Sequence, residues 1–131
     1  MTAAQRRLVQ RARRVRLRAL ASYSPFLVGA ALEPERGRIY TGCNIENASY
    51  GLSVCAERVA IFKALSEGER KFKRLAVVAD TDRLTPPCGA CRQIIWEFCG
   101  NTEIVLANLK GKSSVARMRT LLPKPFDASL L

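Results

Sequence analysis

A three-layer α/β/α fold around a five-stranded mixed sheet is what the sequence predicts, and three observations carry it. A compact apolar run at residues 26–32 and the stretch 38–44 flank the breaker cluster Glu33-Pro34-Glu35-Arg36-Gly37 and read as a strand pair. The stretch Arg74-Leu75-Ala76-Val77-Val78-Ala79 is continuously apolar after its first residue, as a strand buried on both faces must be. Helical periods alternate with these runs. The order strand pair, helix, strand, helix, strand, strand requires helices packed on both faces of one sheet.

Each element follows from local pattern. Residues 3–21 read as the first helix, with Leu8, Ala12, Val15 and Ala19 on one face and arginines over the rest. Ser22-Tyr23-Ser24-Pro25 breaks it. After the strand pair, residues 44–52 form a polar loop of small residues, the kind that carries binding groups. Residues 54–65 are helical, with Val59, Phe62 and Leu65 expected inward and Gly68 as the stop. Residues 80–85 are loop. Pro86-Pro87 leads into a helix from Cys88 to Cys99 that Gly100 ends. Strands follow at residues 103–109 and 113–116, separated by Lys110-Gly111-Lys112, and the tail from Leu121 is interrupted by proline. With 131 residues and no linker, repeat or low-complexity segment, one domain over residues 1–131 is expected.

Composition narrows the class. Hydrophobic residues make up 48% of the chain, which suits a globular protein, and no apolar run approaches the ~20 residues of a membrane span. The N-terminus has arginines but no uninterrupted apolar core of the signal-peptide kind, so a cytoplasmic location is expected. There is no histidine, which excludes a Ser–His dyad, a histidine base and a histidine metal ligand. The five cysteines are odd in number and lack the spacing of a disulfide framework. Cys43 and Cys99 read as small buried thiols. Net charge is +11, and seven arginines precede the first acid, Glu33. A basic helix of this kind can attract nucleic acid. Its regular apolar stripe favours a solvated or subunit-facing helix instead, so nucleic acid is not expected as a partner.

The chemistry is concentrated between residues 55 and 91. Cys88 and Cys91, two residues apart, can close on one metal ion, and Cys55 can supply a third thiolate. Three protein ligands leave the fourth position of a tetrahedral zinc for water. Glu57, two residues after Cys55, is then a proton shuttle beside that water. Cys-x-Glu followed by Pro-Cys-x-x-Cys is the established signature of zinc deaminases.

Cys55-Ala56-Glu57-Arg58 with Pro87-Cys88-Gly89-Ala90-Cys91-Arg92-Gln93 resembles the small, homotetrameric type of cytidine deaminase. Gly42-Cys43-Asn44-Ile45-Glu46-Asn47-Ala48-Ser49-Tyr50 and Tyr23-Ser24-x-Phe26-x-Val28-Gly29-Ala30-Ala31-Leu32 extend the likeness, which runs from about residue 23 to residue 126. It implies one zinc ion per chain and hydrolytic deamination of free cytidine and 2′-deoxycytidine in pyrimidine salvage. Water activated at the metal would add to C4 of cytosine while Glu57 protonates N3 and then carries a proton to the departing amine.

The resemblance also assigns supporting residues. Arg58 would hydrogen-bond the ligand thiolates and offset the extra negative charge of an all-cysteine shell. Asn44 and Glu46 match the residues that bind the ribose hydroxyls, Phe26 the aromatic against the pyrimidine, and the backbone of Ala56 the group that meets the ring carbonyl. Ala48, Tyr50 and Phe126 match positions that neighbouring subunits bring to a shared active site in the homotetramer. The sequence departs from the family at Ser22, where Pro-Tyr-Ser-x-Phe is common, and Pro25 fills the free position. Its arginine-dense first helix is also unusual. Competing readings are deamination of another cytosine nucleoside or of RNA, and a basic, zinc-stabilised nucleic-acid-binding module. A closed structural site needs four Cys/His ligands, and the spacing supplies three. Asn44 with Glu46 favours a free nucleoside, since the 3′ oxygen of a polymer is esterified.

Overall fold

The computed structural model describes residues 1–131, and its elements are strands and helices in the predicted order. They are helix α1 (Ala3–Val15), strands β1 (Val28–Pro34) and β2 (Tyr40–Cys43), helix α2 (Ala56–Ser66), strand β3 (Phe72–Ala79), helix α3 (Gly89–Cys99), strands β4 (Glu103–Ala107) and β5 (Ser113–Arg117), and a one-turn helix α4 (Met118–Leu121). The sheet runs β2-β1-β3-β4-β5, with β3 and β4 parallel and the other pairs antiparallel. This is the expected mixed, five-stranded, three-layer arrangement.

Strand alternation divides the core in two. Ala31, Ala76, Val78, Val105 and Ala107 point to one face, where Leu8 and Ala12 of α1 cover them. Ala30, Leu32, Leu75, Val77, Ile104 and Leu106 point to the other, against Ala60, Ile61 and Ala64 of α2 and Cys91 and Ile95 of α3. Both helix layers approach closely because the sheet offers glycine beneath each. A Cβ on Gly29 would lie 1.9 Å from the Ala12 carbonyl oxygen, and one on Gly42 would lie 2.4 Å from that of Ala56 and 2.5 Å from the Ala60 nitrogen. Across three strands, Arg74 stands in register with Glu33 and Glu103 and bonds both, at 2.9 and 2.8 Å.

Several boundaries shift from expectation, most of all around the first helix and first strand, and so does the inward face of α2. The first helix ends at Val15 and continues only as a 3₁₀ turn over Arg16–Arg18. Leu20 leaves it to bridge Ile45, accepting from Glu46 N and donating to Asn44 O. The first strand starts at Val28 because the Asn44 side chain occupies Phe26 O and Val28 N. It runs on through Glu33 and Pro34, where an irregularity in register accommodates a residue without an N–H. In α2 the buried residues are Ala56, Glu57, Ala60, Ile61 and Ala64, while Phe62 is 43% exposed and Val59 and Leu65 only half-buried. Contact at Gly42 is made by Ala56, Val59 and Ala60, which leaves Phe62 on the outer side of the helix.

Gly42→Ala is therefore expected to destabilise the protein by about 1–3 kcal/mol, since backbone rather than flexible side chain must yield. Gly51→Ala, whose Cβ meets nothing within 4 Å, is the control and should change stability by less than about 0.5 kcal/mol. Urea unfolding of both variants measures the difference.

Candidate active site

Two helix N-termini meet at the carboxyl end of β3. Cys55 is the N-cap of α2 and Cys88 that of α3, each with its carbonyl accepting the first helical bond, from Val59 N and Arg92 N. Cys91 lies in the first turn of α3 and is fully buried. The three sulfur atoms lie within 4.8 Å of one another, and Cys55 Sγ to Cys88 Sγ is 3.8 Å. Tetrahedral Zn–S bonds of ~2.3 Å set sulfurs about 3.8 Å apart, so the donor set fits a metal ion of that size and softness. Helix dipoles favour the thiolate form at both ends.

Charge at the cluster is arranged around one guanidinium. Arg58 donates to Cys55 Sγ at 3.4 Å, and its Nε is buried without a partner. Bonding from the Cys91 thiol, then from Arg58, holds Cys55 down at about 5, while the same contact with Cys55 pushes Cys91 up. Of Cys55 and Cys91, Cys55 is thus the first to ionise. Cys43 and Cys99 behave as ordinary buried thiols: burial raises both, Cys99 to about 12.

Glu57 is the buried carboxyl of the site, 4% exposed. Burial first, and the Cys55 thiolate next, push it up to about 7, where a carboxyl both gives and accepts a proton near neutrality. It lines a cavity of about 230 Å³ together with Cys55, Cys88, Ala56, Phe26, Val28, Asn44, Glu46, Ser53, Val54, Val77, Thr85 and Pro86. As the first residue of α2, Ala56 has an N–H with no carbonyl a turn earlier to bond. A second, outer depression shares Glu46 and Ser53 and adds Tyr23, Ser24 and Tyr50. The site is thus two chambers in line, an inner one at the sulfurs and an outer one at Glu46.

Asn44 and Glu46 also build the wall they belong to. Asn44 Oδ1 accepts from Val28 N at 2.9 Å and its Nδ2 donates to Phe26 O at 2.8 Å. Glu46 accepts from Tyr23 N at 2.9 Å, from Ser24 N at 3.0 Å and from the Ser24 hydroxyl. These bonds, that of the Ser24 hydroxyl first, hold its carboxyl below the usual carboxylate range. They hold residues 23, 24, 26 and 28, with Phe26 reaching the inner chamber, while Pro25 among them has φ +28°, well away from the value of about −65° that its ring favours. Asn47 forms a local turn, accepting from Ser49 N.

Within one chain the fold brings together Phe26, Asn44, Glu46, Cys55, Ala56, Glu57 and Cys88 in the inner chamber, with Cys91 and Arg58 at the sulfurs and Tyr50 at the outer one. Ala48 and Phe126 lie outside both chambers. Phe126 is 60% exposed, though its carbonyl accepts from Gln93 and the next residue, Asp127, accepts from Trp96, which fastens the tail to α3. Sequence reasoning missed two supports. Arg92 bonds Pro87 O and Leu121 O, fixing the approach to Cys88. Asn108, buried, bonds Thr81 O and Asp82 O and so anchors the loop that carries Thr85 and Pro86. Arginine after Cys-x-x-Cys was a visible signal for the first. A lone strand-end asparagine gave none for the second.

Comparison with known proteins bears on this geometry. Residues 2–108 match the family model described as the cytidine and deoxycytidylate deaminase zinc-binding region. The chain is 52% identical over 122 residues to a cytidine deaminase of Sporosarcina psychrophila, covering 92% of this chain and 90% of that protein. Its identity to the cytidine deaminase of Halalkalibacterium halodurans is 51% over 122 residues, 92% of each. The crystal structure of cytidine deaminase from Burkholderia pseudomallei superposes with a TM-score of 0.91 at 46% identity, covering 96% of this chain and all of that one.

The purified protein is expected to carry about one zinc per chain by atomic emission, with an X-ray absorption shell of three sulfurs and one light atom. A four-sulfur shell would contradict an open site. Arg58→Gln should keep the ligands and lower zinc affinity about 10–100-fold, as loss of a ligand's hydrogen-bond partner does elsewhere. Competition against a zinc-selective chelator measures it.

Proposed function

The chain belongs to the cytidine and deoxycytidylate deaminase family, and on that premise we propose that it converts free cytidine and 2′-deoxycytidine, with water, to uridine or 2′-deoxyuridine and ammonia. The observation that carries the reading is the buried carboxyl of Glu57 sharing one cavity with two of three converging sulfurs. Cys55, Cys88 and Cys91 would hold zinc, which supplies the acidity that readies a water for attack near neutral pH.

The chain's own residues do the rest. Glu57 takes a proton from the water and delivers it to N3 as water adds to C4. It then carries the remaining hydroxyl proton to the exocyclic amine, which leaves as ammonia. The N–H of Ala56, at the positive end of α2, receives the ring carbonyl. Phe26 and Val28 cover the ring and keep bulk water from it. Asn44 lines the inner chamber and Glu46 both chambers, and there the sugar follows from a base seated at the sulfurs. A site built to pair hydroxyls rejects esterified or missing ones, which favours a free nucleoside over a polymer.

The same reading covers assembly. Tyr23 and Tyr50 are exposed at the outer chamber, their rings 6.1 Å apart edge to face, and Leu20, Ile45 and Leu52 are exposed in the neighbouring segments. An apolar rim of this kind supports a homotetramer whose subunits complete one another's sites, with Ala48, Tyr50 and Phe126 contributed across boundaries. A single catalytic domain, a cytoplasmic location and a role in pyrimidine salvage complete the proposal. No helix is long and apolar enough to cross a membrane.

Two experiments test it. Glu57→Gln should retain zinc, fold and nucleoside binding and lose about 10²–10⁴-fold in kcat, because only proton transfer is removed. Near-normal turnover would exclude Glu57 as the shuttle. Phe126→Ala keeps the backbone bond to Gln93 and removes only the ring, so KM should rise with zinc content unchanged. Light scattering at assay concentration accompanies it: a fully active monomer would rule out shared sites.

A further inference from the structure

The arginines of α1 were expected to face solvent or a subunit, because an apolar stripe on the same helix needed a protein surface. The fold removes that reason. Leu8 and Ala12 are completely buried on the chain's own sheet, against Ala31, Ala76 and Val78. What remains outward is a basic face with nothing in the chain to answer it. Arg7, Arg11, Arg14 and Arg18 recur at spacings of four, three and four residues, one per turn, a row of cations ~5 Å apart and ~17 Å long. All four are exposed and none has a hydrogen-bond or ion-pair partner, whereas Arg6 and Arg16 are used on Met1 O and Leu27 O. The carboxylates in ion pairs are elsewhere: Glu33 and Glu103 with Arg74, Asp82 with Lys110.

The row also borders a concavity. Arg11, Arg14, Val15, Arg18 and Thr41 line a depression of about 290 Å³ between α1 and the edge strand β2, and none of them is acidic. On its far rim Lys63 reaches across from α2 to the Thr41 carbonyl. We propose that this edge of the molecule binds the phosphate backbone of a nucleic acid, with Arg11, Arg14 and Arg18 as its principal contacts. Guanidinium forks fit phosphate oxygens in pairs, and a row this long suits several successive phosphates rather than one. Within the depression Val15 is the one apolar side chain, and the exposed Leu17 and Leu20 lie outside it, so its chemistry suits phosphate better than a protein partner. α1 exposes no aromatic side chain on which a base could stack, so binding is to the backbone and independent of sequence.

Fluorescence anisotropy with a labelled 20-nucleotide adenosine oligomer, which contains no cytosine, tests this on the full zinc-loaded chain. Wild-type protein should bind at about 50 mM salt, with affinity falling steeply as salt rises. The triple variant Arg11→Gln, Arg14→Gln, Arg18→Gln should bind at least about tenfold more weakly, and its slope of log affinity against log salt should be shallower by about 2. Deamination of free cytidine should be unchanged in it. A control triple, Lys71→Gln, Lys73→Gln, Lys112→Gln, removes equal charge from other surfaces and should alter affinity by less than about threefold. No binding by the wild type, or equal loss in both triples, overturns the proposal. So does a change of mass by light scattering confined to the arginine variant, which would make the row a subunit contact.

Discussion

The approach of α2 to β2 at Gly42 is the constraint on which the site depends. With backbone only 2.4–2.5 Å from where a Cβ would stand, the helix has one depth and one rotation available. That rotation buries Glu57 and sets Cys55 at the N-cap, opposite the N-cap of α3. Ala56, Val59 and Ala60 all stand against Gly42, while Phe62 is left on the outer side, 43% exposed. Packing thus decides a chemical property, since burial is the first cause of the raised proton affinity of Glu57.

An all-cysteine ligand set creates the next demand. Three thiolates leave a dication with a net charge of −1, which opposes the acidity required of a bound water. Two helix N-termini and Arg58 act against that excess, and they differ in reach. The dipoles are spread over free N–H groups, whereas Arg58 applies a full charge to one sulfur at 3.4 Å. The contact that the guanidinium makes is with Cys55 Sγ, and its Nε is buried without a partner. A histidine in place of one cysteine would make the first shell neutral, and this chain has none.

Much of this was legible in the sequence, and what was not had a common cause. Continuous apolar character marked β3, and alternation with breakers marked the β1–β2 pair. Cys-x-Glu with Pro-Cys-x-x-Cys placed three sulfurs and a carboxyl together without any fold. The inward face of α2 was not legible, because both its faces are apolar and only Gly42 selects between them. The early end of α1 was hidden too, since periodicity carries through Ala19 while Leu20 is claimed by a partner 25 residues away. Nor could the sequence show that Leu8 and Ala12 find cover within their own chain, which is what leaves the arginine row unanswered.

Asn44 and Glu46 illustrate why a loop with altered sequence can still present a defined pocket. Each spends part of its hydrogen-bonding capacity on the backbone of residues 23–28, and that backbone in turn positions Phe26. A proline at residue 22 would stiffen the loop from within. Here the stiffness comes from across the cavity, through a carboxylate accepting three bonds and a carboxamide using both its oxygen and its nitrogen. After those bonds Asn44 keeps one N–H, and Glu46 keeps an acceptor site on Oε2, since Oε1 already takes both Tyr23 N and Ser24 N. In the proposed reaction these remaining sites meet the sugar, already oriented before substrate arrives. Ordering entropy that a mobile loop would lose on binding is instead lost on folding, so more of the binding free energy is retained as affinity. The same coupling means that a change at Ser24, which touches no substrate in this reading, acts through Glu46 on the sugar subsite.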